Sequence, residues 1–581
     1  MSSQASQPEP VACSNEDNSA TRREFLARIR GAATLTLASA AVTSGSPAKA
    51  GLGPADGIDG DSSERVLDAY ENRVQVARAE TRVPIPRQIT NGDERRYPSF
   101  IGNFSKGLPH NNLGEVDRNA YRSLLRAVRE GRWDAFEEVA LGGDPNTPGG
   151  QTPLVNPLAG LAFDLEGTDS HQLAIPAFPS VASPALADEA VELYWMALCR
   201  DVNFLDYASH PLTRKAADEL SQLASFSGPR SENGRVIPQT LFRGFTAEDV
   251  IGPYVSQFLL KPFNYGPYAM NGTMGMYVAG LDYMTDQASW LAVQNGQGPF
   301  DTNIVGTVRY TCTGRDLTVY VHADPNAGLL ISFYNAGIWL FEQGAPLNRG
   351  NPYTRYKKQT GFTTFGVPHF LCLLGEAKQR ACKAAWYAKW FVHRTLRPEA
   401  YGGLVQMTLT KKPEPRYPLH ADVLNSRALR MVSSTNKGTY FLPQAFPEGS
   451  PQHPSYPQGH ATMAGACATI LKAAFDGSIQ FNTLGDRKIV TASEKDGMSL
   501  IDYTGADVND ITVNGEINKL ASNIGQARNF AGIHWRSDYE WGLKLGEAVA
   551  LSVLHDQSNN YVGENFEGFN ITKFDGTTIT V

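Results

Sequence analysis

No two of the six cysteines in this 581-residue chain stand in C-x-x-C spacing, which excludes a zinc ribbon. No stretch reaches the roughly 20 apolar residues that a permanent membrane-spanning helix needs. There is no repeat with a period of roughly 20 to 50 residues and no heptad run, so solenoids and coiled coils drop out. Neither a haem-ligand pattern nor a flavin fingerprint is present. Positive charge is not in excess: 52 Lys and Arg stand against 59 Asp and Glu, a net charge of −7. General affinity for nucleic acid or an anionic membrane is therefore not expected, and any anion site must be built from a few converged donors. What remains, 42% hydrophobic and 19% charged residues, reads as a soluble globular protein. Its length calls for two cores or one large elaborated domain.

The N-terminus reads as an address. Thr21-Arg22-Arg23-Glu24-Phe25-Leu26 is a twin-arginine pattern, followed by a mild apolar run and by Ala48-Lys49-Ala50. Residues 1–50 are expected to be a signal peptide cleaved after Ala50, which places the protein in the periplasm or outside the cell, exported already folded. Cys13 falls in that segment, leaving Cys199, Cys312, Cys372, Cys382 and Cys467. With five thiols at least one must be free. A helical reading separates Cys372 from Cys382 by about 15 Å, too far for a disulfide.

Helical periodicity dominates the rest. Ser62 to Thr81, Arg118 to Val139, Pro184 to Phe204, Pro211 to Phe226, Phe370 to Val392, Thr462 to Phe475 and Ser537 to His555 repeat apolar residues at i, i+3, i+4. Val308 to Val321 reads as a β-hairpin, and Asn570 to Val581 as another across Asp575-Gly576. The fold class is mainly α, with helical bundles and a few short hairpins. A helical N-terminal part, 51–235, carries apolar faces suited to an oligomer interface, and a C-terminal part, 236–581, carries the candidate site.

That site is spread over three segments, KWFVHRTLRP (Lys389 to Pro398), HPSYPQGH (His453 to His460) and RNFAGIH (Arg528 to His534). Together they offer Lys389, Arg397 and Arg528 with His453, His460 and His534, a set that suits one tetrahedral oxyanion. A single charged residue is usually a solvated one; the joint spacing raises the odds. Pro398 biases Arg397 out of the α region, so the first helix stops nearby. Trp386, one turn before Lys389, can wall the pocket or serve as an ordinary core aromatic. Pro454 and Pro457 keep the second segment extended up to Gly459, where a helix begins whose free N–H groups favour an anion. His460, at that helix start, is placed to donate a proton near neutral pH. Gly532 breaks the chain between Arg528 and His534, and Ser537 to Glu540 reads as a capping box that leaves His534 in the connector.

With those motifs the chain resembles a vanadium-dependent haloperoxidase of the algal and cyanobacterial bromoperoxidase kind, in the superfamily shared with type-2 phosphatidic acid phosphatases. The resemblance runs through most of the chain after residue 50, including FSKGLPHN (Phe104 to Asn111), NPLAGLAFDLEGTDSH (Asn156 to His171), VELYWMALCRDV (Val191 to Val202) and DYMTDQASWLAVQNG (Asp282 to Gly296). It implies the helical bundles of that family and vanadate as cofactor. His534 would be the axial ligand of vanadium. Lys389, Arg397, Arg528 and the Gly459 N–H would hold the equatorial oxygens, and His460 would act as the acid-base group. His453 matches the second histidine of bromoperoxidases and favours bromide over chloride. Hydrogen peroxide, bromide or iodide, and organic halogen acceptors are the implied partners, in a homo-oligomer of two or more chains.

Two positions depart from the family pattern. Gln458 stands where the family has serine, so its contact with the oxyanion either persists through a longer amide or is lost. Trp386 stands where red-algal enzymes have Arg. The loop from Phe341 through Glu342 and Gln343 to Asn348 resembles a calcium-bearing region of red-algal relatives, but one carboxylate and two amides are thin for a hard cation. Two rival readings use the same residues: an acid phosphatase with His534 as nucleophile, and an exported non-catalytic assembly protein. The seven residues between Lys389 and Arg397 resemble the bromoperoxidases, whereas phosphatases have six.

Overall fold

The computed structural model describes residues 62–298, 305–322, 331–411, 417–493, 496–561 and 563–581. The twin-arginine segment lies outside the described residues. The chain divides into two compact units, residues 1–86 and 87–581. In the first, helix α1 is Ser62–Thr81, ending where the sequence periodicity ends.

The second unit runs without a break across residue 235, where a boundary between parts was expected. Asp117 caps α2 (Arg118–Glu130) through the N–H groups of Asn119 and Ala120. Gly131, at φ 63°, then ends the helix in the left-handed region. The continuous helix expected over Arg118 to Val139 is therefore two, with α3 at Trp133–Glu137. Ser183 caps and Pro184 opens α4 (Pro184–Cys199), which is buried almost all round. Its Glu192 pairs with Arg536 (Nε to Oε2 2.8 Å) and its Glu189 accepts from the Ser537 N–H at 3.0 Å. These bonds tie the N-terminal third to the C-terminal site segments. The apolar face of α4 is covered within the chain and is not a surface for a partner.

All sheet in the described residues is two-stranded and antiparallel: β1 (Phe263–Tyr265) with β2 (Tyr268–Met270), β3 (Met274–Tyr277) with β4 (Val305–Arg309), β5 (Val490–Ala492) with β6 (Leu500–Asp502), and β7 (Asn570–Thr572) with β8 (Thr578–Thr580). The last is the tail hairpin the sequence predicts, with Gly576 at φ 83° in its turn. The hairpin expected at Val308 to Val321 is not formed. Only its first residues pair, as β4, and Gly314–His322 is helix α5. The Asp316 carboxylate accepts the N–H groups of Cys312 and Thr313 (3.1 Å each), while the Thr313 hydroxyl accepts from the Asp316 N–H at 3.1 Å. This reciprocal cap starts a helix that burial then stabilises, and the β-branched residues follow.

Five further helices carry the site. They are α6 (Val367–Tyr387), α7 (Pro398–Thr410), α8 (Gly459–Ala474), α9 (Val513–Phe530) and α10 (Arg536–Ser558). The central contact is α8 on α10, and small residues make it close. A Cβ on Gly546 would fall 1.9 Å from the Thr462 carbonyl oxygen, and one on Gly465 would fall 2.2 Å from that of Leu543. Every residue of α9 is buried, polar ones included, and Lys519 pairs with Glu516 at 2.6 Å one turn away. The cysteines of the described residues, Cys199, Cys312, Cys372, Cys382 and Cys467, form no disulfide.

One buried ion pair fixes the loop that leads into the second site segment. Lys106 Nζ lies 2.7 Å from Glu399 Oε1 and donates to the Glu448 carbonyl at 2.7 Å and to the Ser450 carbonyl. Glu399, in the first turn of α7, accepts from the Ser450 N–H and hydroxyl (2.7 and 2.8 Å). Removing one partner of a buried pair strands the other charge. Lys106→Met is expected to lower stability by about 3 to 5 kcal/mol, read as a shift of the midpoint in chemical denaturation.

Candidate active site

Lys389 and Arg397 meet because the helix that carries the first does not continue. After Tyr387 the chain widens into a π-helical turn, Ala388–His393, and Arg394 takes a left-handed conformation at φ 43°. Two bonds from the Arg394 guanidinium to Glu94, 2.8 Å each, hold it there. Arg397 is extended (φ −87°, ψ 154°) before Pro398, as its place before proline requires.

The second segment supplies acceptors as well as histidines. Lys389 Nζ donates to the carbonyls of Pro454 (2.6 Å) and Ser455 (2.5 Å). Arg397 donates to the His453 carbonyl through Nε (3.0 Å) and an Nη (2.9 Å), and the same Nη lies 3.0 Å from His453 Nδ1. Its other Nη donates to the Ile533 carbonyl at 2.9 Å and to His534 Nε2 at 2.8 Å. His534 Nδ1 lies 2.6 Å from Asp538 Oδ2 and so carries the proton it donates there. The same oxygen accepts from the Ser455 hydroxyl (2.5 Å) and the Trp535 N–H (3.1 Å). Asp538 thereby orients the imidazole and leaves the Nε2 lone pair facing the cations.

Asp538 is the residue that sequence reasoning missed. The capping box expected at Ser537 to Glu540 sits two residues earlier, since α10 begins at Arg536 with Trp535 as its cap. Asp538 then serves both the cap and His534. The His534–Asp538 spacing of four was the available signal.

Arg528 lies in the last turn of α9, its guanidinium 5.6 Å from the Phe446 ring centroid. Its Nε is buried with no hydrogen-bond partner among the described residues. Trp386 closes one side. Its ring lies 4.7 Å from that of His453 and 5.9 Å from Lys389 Nζ, and a Cβ on Gly459 would come within 3.0 Å of it. His460, in the first turn of α8, donates from Nε2 to the Val321 carbonyl at 3.3 Å.

Gln458 is the corner that turns away. Its amide donates to the Gly525 carbonyl at 3.1 Å and lies 3.4 Å from Asn529 Oδ1, both on α9. Its side chain is therefore engaged by a helix backbone rather than aimed at the cations. Glu342 is taken by Asn264, whose N–H donates at 3.1 Å, and Asn348 by the Lys472 carbonyl at 2.9 Å. The loop from Phe341 to Asn348 thus brings no calcium ligand set together. Among the described residues no group of three or more His, Cys, Asp and Glu is placed to hold a metal ion.

The electrostatics follow from three cations buried together. Burial pushes Arg528 down to about 9, helped by the Arg397 charge, and Arg397 down to about 10. Burial and the Arg397 charge hold Lys389 well below the usual ammonium range. Burial is also the largest cause for His453, His460 and His534, each held well below its ordinary range by that and by the adjacent cations. All three rings are neutral at pH 7. His460, expected from sequence to be a proton donor near neutrality, is instead neutral beside uncompensated positive charge; a bound anion would offset that charge and raise it.

An orphaned guanidinium, an ammonium, a second guanidinium, a helix N-terminus and an imidazole lone pair surround one place, and this donor set fits an oxyanion with an electrophilic centre, such as vanadate, rather than a bare metal ion. The structure is that of a mainly helical protein with a buried cluster of cations and histidines. Residues 369–563 match the family described as the VCPO second helical-bundle domain. The chain is 34% identical over 550 residues to a vanadium-dependent bromoperoxidase of Ascophyllum nodosum, covering 89% of this chain and 94% of that protein. It is 34% identical over 613 residues to another from Corallina officinalis, covering 91% and 100%. It superposes with a TM-score of 0.83, at 29% identity and 94% coverage of each chain, on the homohexameric second vanadate-dependent bromoperoxidase of Ascophyllum nodosum. The chain belongs to the vanadium-dependent bromoperoxidase family.

Residues that orient a ligand are often worth ten- to a hundredfold in affinity. Asp538→Asn is expected to raise the vanadate concentration for half reconstitution of the apoprotein by about that factor, with the α-helical circular dichroism unchanged.

Proposed function

We propose that this protein oxidises bromide and iodide with hydrogen peroxide, using vanadate, and releases hypohalous acid that halogenates organic acceptors. The observation that carries the reading is the closeness of Lys389, Arg397 and Arg528 to His534, with Arg397 at its Nε2 and Asp538 at its Nδ1. The family supports it independently.

In this reading Arg397, Arg528 and the Gly459 N–H would hold the oxygens of vanadate, and His534 Nε2 would offer its lone pair to the electrophilic centre. Arg397, which lies 2.8 Å from His534 Nε2, would turn that donor to the anion. Vanadate, when bound, would supply Lewis acidity that makes peroxide electrophilic without a change of oxidation state. His460, with Nε2 fixed on Val321, uses Nδ1 to take a proton from incoming peroxide and return it. Lys389 stabilises negative charge that develops on oxygen, in a pocket where burial strengthens each interaction. His453, wedged between Arg397 and Trp386, sits where a halide would approach. Because Gln458 is committed to Gly525, the oxyanion is held without a side-chain contact from that position.

Oligomerisation and export are part of the same proposal. Trp133, Phe163 and Leu165 are exposed at 72, 83 and 98%, large apolar side chains that a second copy would cover. The Arg22-Arg23 segment is proposed to send the folded protein to the periplasm or beyond.

Metal-stripped protein is expected to regain bromide-dependent bromination of a dye with orthovanadate alone and to lose it in phosphate. Recovery with iron and none with vanadate would sink the reading, and His534→Ala should abolish activity. The halide role of His453 is tested separately. His453→Ala is expected to lower kcat/KM for bromide by at least about tenfold more than for iodide, which is easier to oxidise; equal losses would leave His453 structural.

A further inference from the structure

A second chain of polar groups runs beside the oxyanion cluster and takes no part in the mechanism above. The Tyr277 hydroxyl lies 2.5 Å from His322 Nδ1, and His322 Nε2 lies 2.6 Å from Glu448 Oε1. The His322 ring stacks on Phe446 with centroids 3.9 Å apart and planes at 15°. Phe446 is the ring beneath the Arg528 guanidinium. His322 also follows Val321, whose carbonyl holds His460. The Glu448 backbone is pinned in turn by Lys106.

Glu448, its side chain 43% exposed, is therefore a carboxylate held at its side chain and at its main chain, two stacked rings, His322 and Phe446, away from the buried Arg528 guanidinium. Burial alone would raise its carboxyl, but the His322 hydrogen bond and charge and the Lys106 charge hold it below its ordinary value, so it is ionised at neutral pH. Its charge acts on Arg528 in the direction that favours the guanidinium. A fixed negative charge beside an anion site stabilises the empty cluster of cations and weakens anion binding.

We propose that Glu448, held by His322 and Tyr277, is a positioning residue that sets the charge of the oxyanion site, steadying Arg528 while limiting how tightly the site holds an anion. This rests on the assignment of Lys389, Arg397 and Arg528 as the anion-binding cations. It makes a prediction opposite in sign to that of a structural role. If Glu448 only braced the loop, removing its charge would loosen the site and weaken binding. If it sets the charge, removal strengthens binding.

The test is calorimetric titration of apoprotein with inorganic phosphate, and separately with orthovanadate, at low and at high salt. Glu448→Gln is expected to tighten phosphate binding by about three- to tenfold at low ionic strength, with the difference shrinking as salt screens the charge. Glu448→Asp should restore most of the wild-type affinity. Unchanged or weaker binding by Glu448→Gln overturns the proposal. Should that variant fail to fold, His322→Leu frees the carboxylate to move into solvent and is expected to tighten binding by about twofold; no tightening overturns the proposal equally. Wild-type apoprotein that binds neither anion would instead overturn the site assignment on which the proposal stands.

Discussion

The constraint on which the rest depends is the mutual repulsion of Lys389, Arg397 and Arg528 inside the protein. Like charges out of water repel strongly and lose hydration. The fold offsets this with fixed dipoles rather than with a full set of counter-charges. The carbonyls of His453, Pro454, Ser455 and Ile533 all point at the cations. Asp538 is the one ionisable acceptor bonded to His534, and burial pushes its carboxyl up while Lys389 and Arg397 pull it down. The cluster is left short of negative charge, which is the physical content of an anion site.

Such a site cannot tolerate movement, and the packing around it is close. Glycines at 465, 542 and 546 press α8 onto α10, so that the helix that starts at Gly459 and the helix that begins beside His534 form one rigid pair. Lys106 and Glu399 pin the approach to His453, while Glu94 and Arg394 pin the break after Lys389. Each of these bonds lies outside the oxyanion cluster and acts on a backbone that supplies one of its groups. Preorganised dipoles of this kind need no rearrangement when charge develops.

Regular elements were legible where sequence signals agreed with burial. Ser62–Thr81 and the tail hairpin follow their periodicity and turn residues closely, while the helix expected from Pro184 to Phe204 starts at Pro184 and ends at Cys199. Val308 to Val321 was misread because alternating β-branched residues resemble a strand, whereas the Thr313–Asp316 cap and burial made a helix of Gly314–His322. Gly131 ended a helix that apolar spacing alone would have carried on.

The sequence by itself determined the chemistry of the site, because residue types and short spacings carry it: cations at 389, 397 and 528, histidines at 453, 460 and 534, a glycine before a helix and a proline after Arg397. Tertiary structure alone decided how those groups are used. That Gln458 bonds to Gly525, that Arg397 meets His534 Nε2, and that Arg528 keeps an unpartnered Nε among the described residues all depend on residues far apart in the chain. Local sequence specifies backbone preference and side-chain type, but protonation and hydrogen-bond partners are set by burial and by charges that only folding brings within a few ångströms.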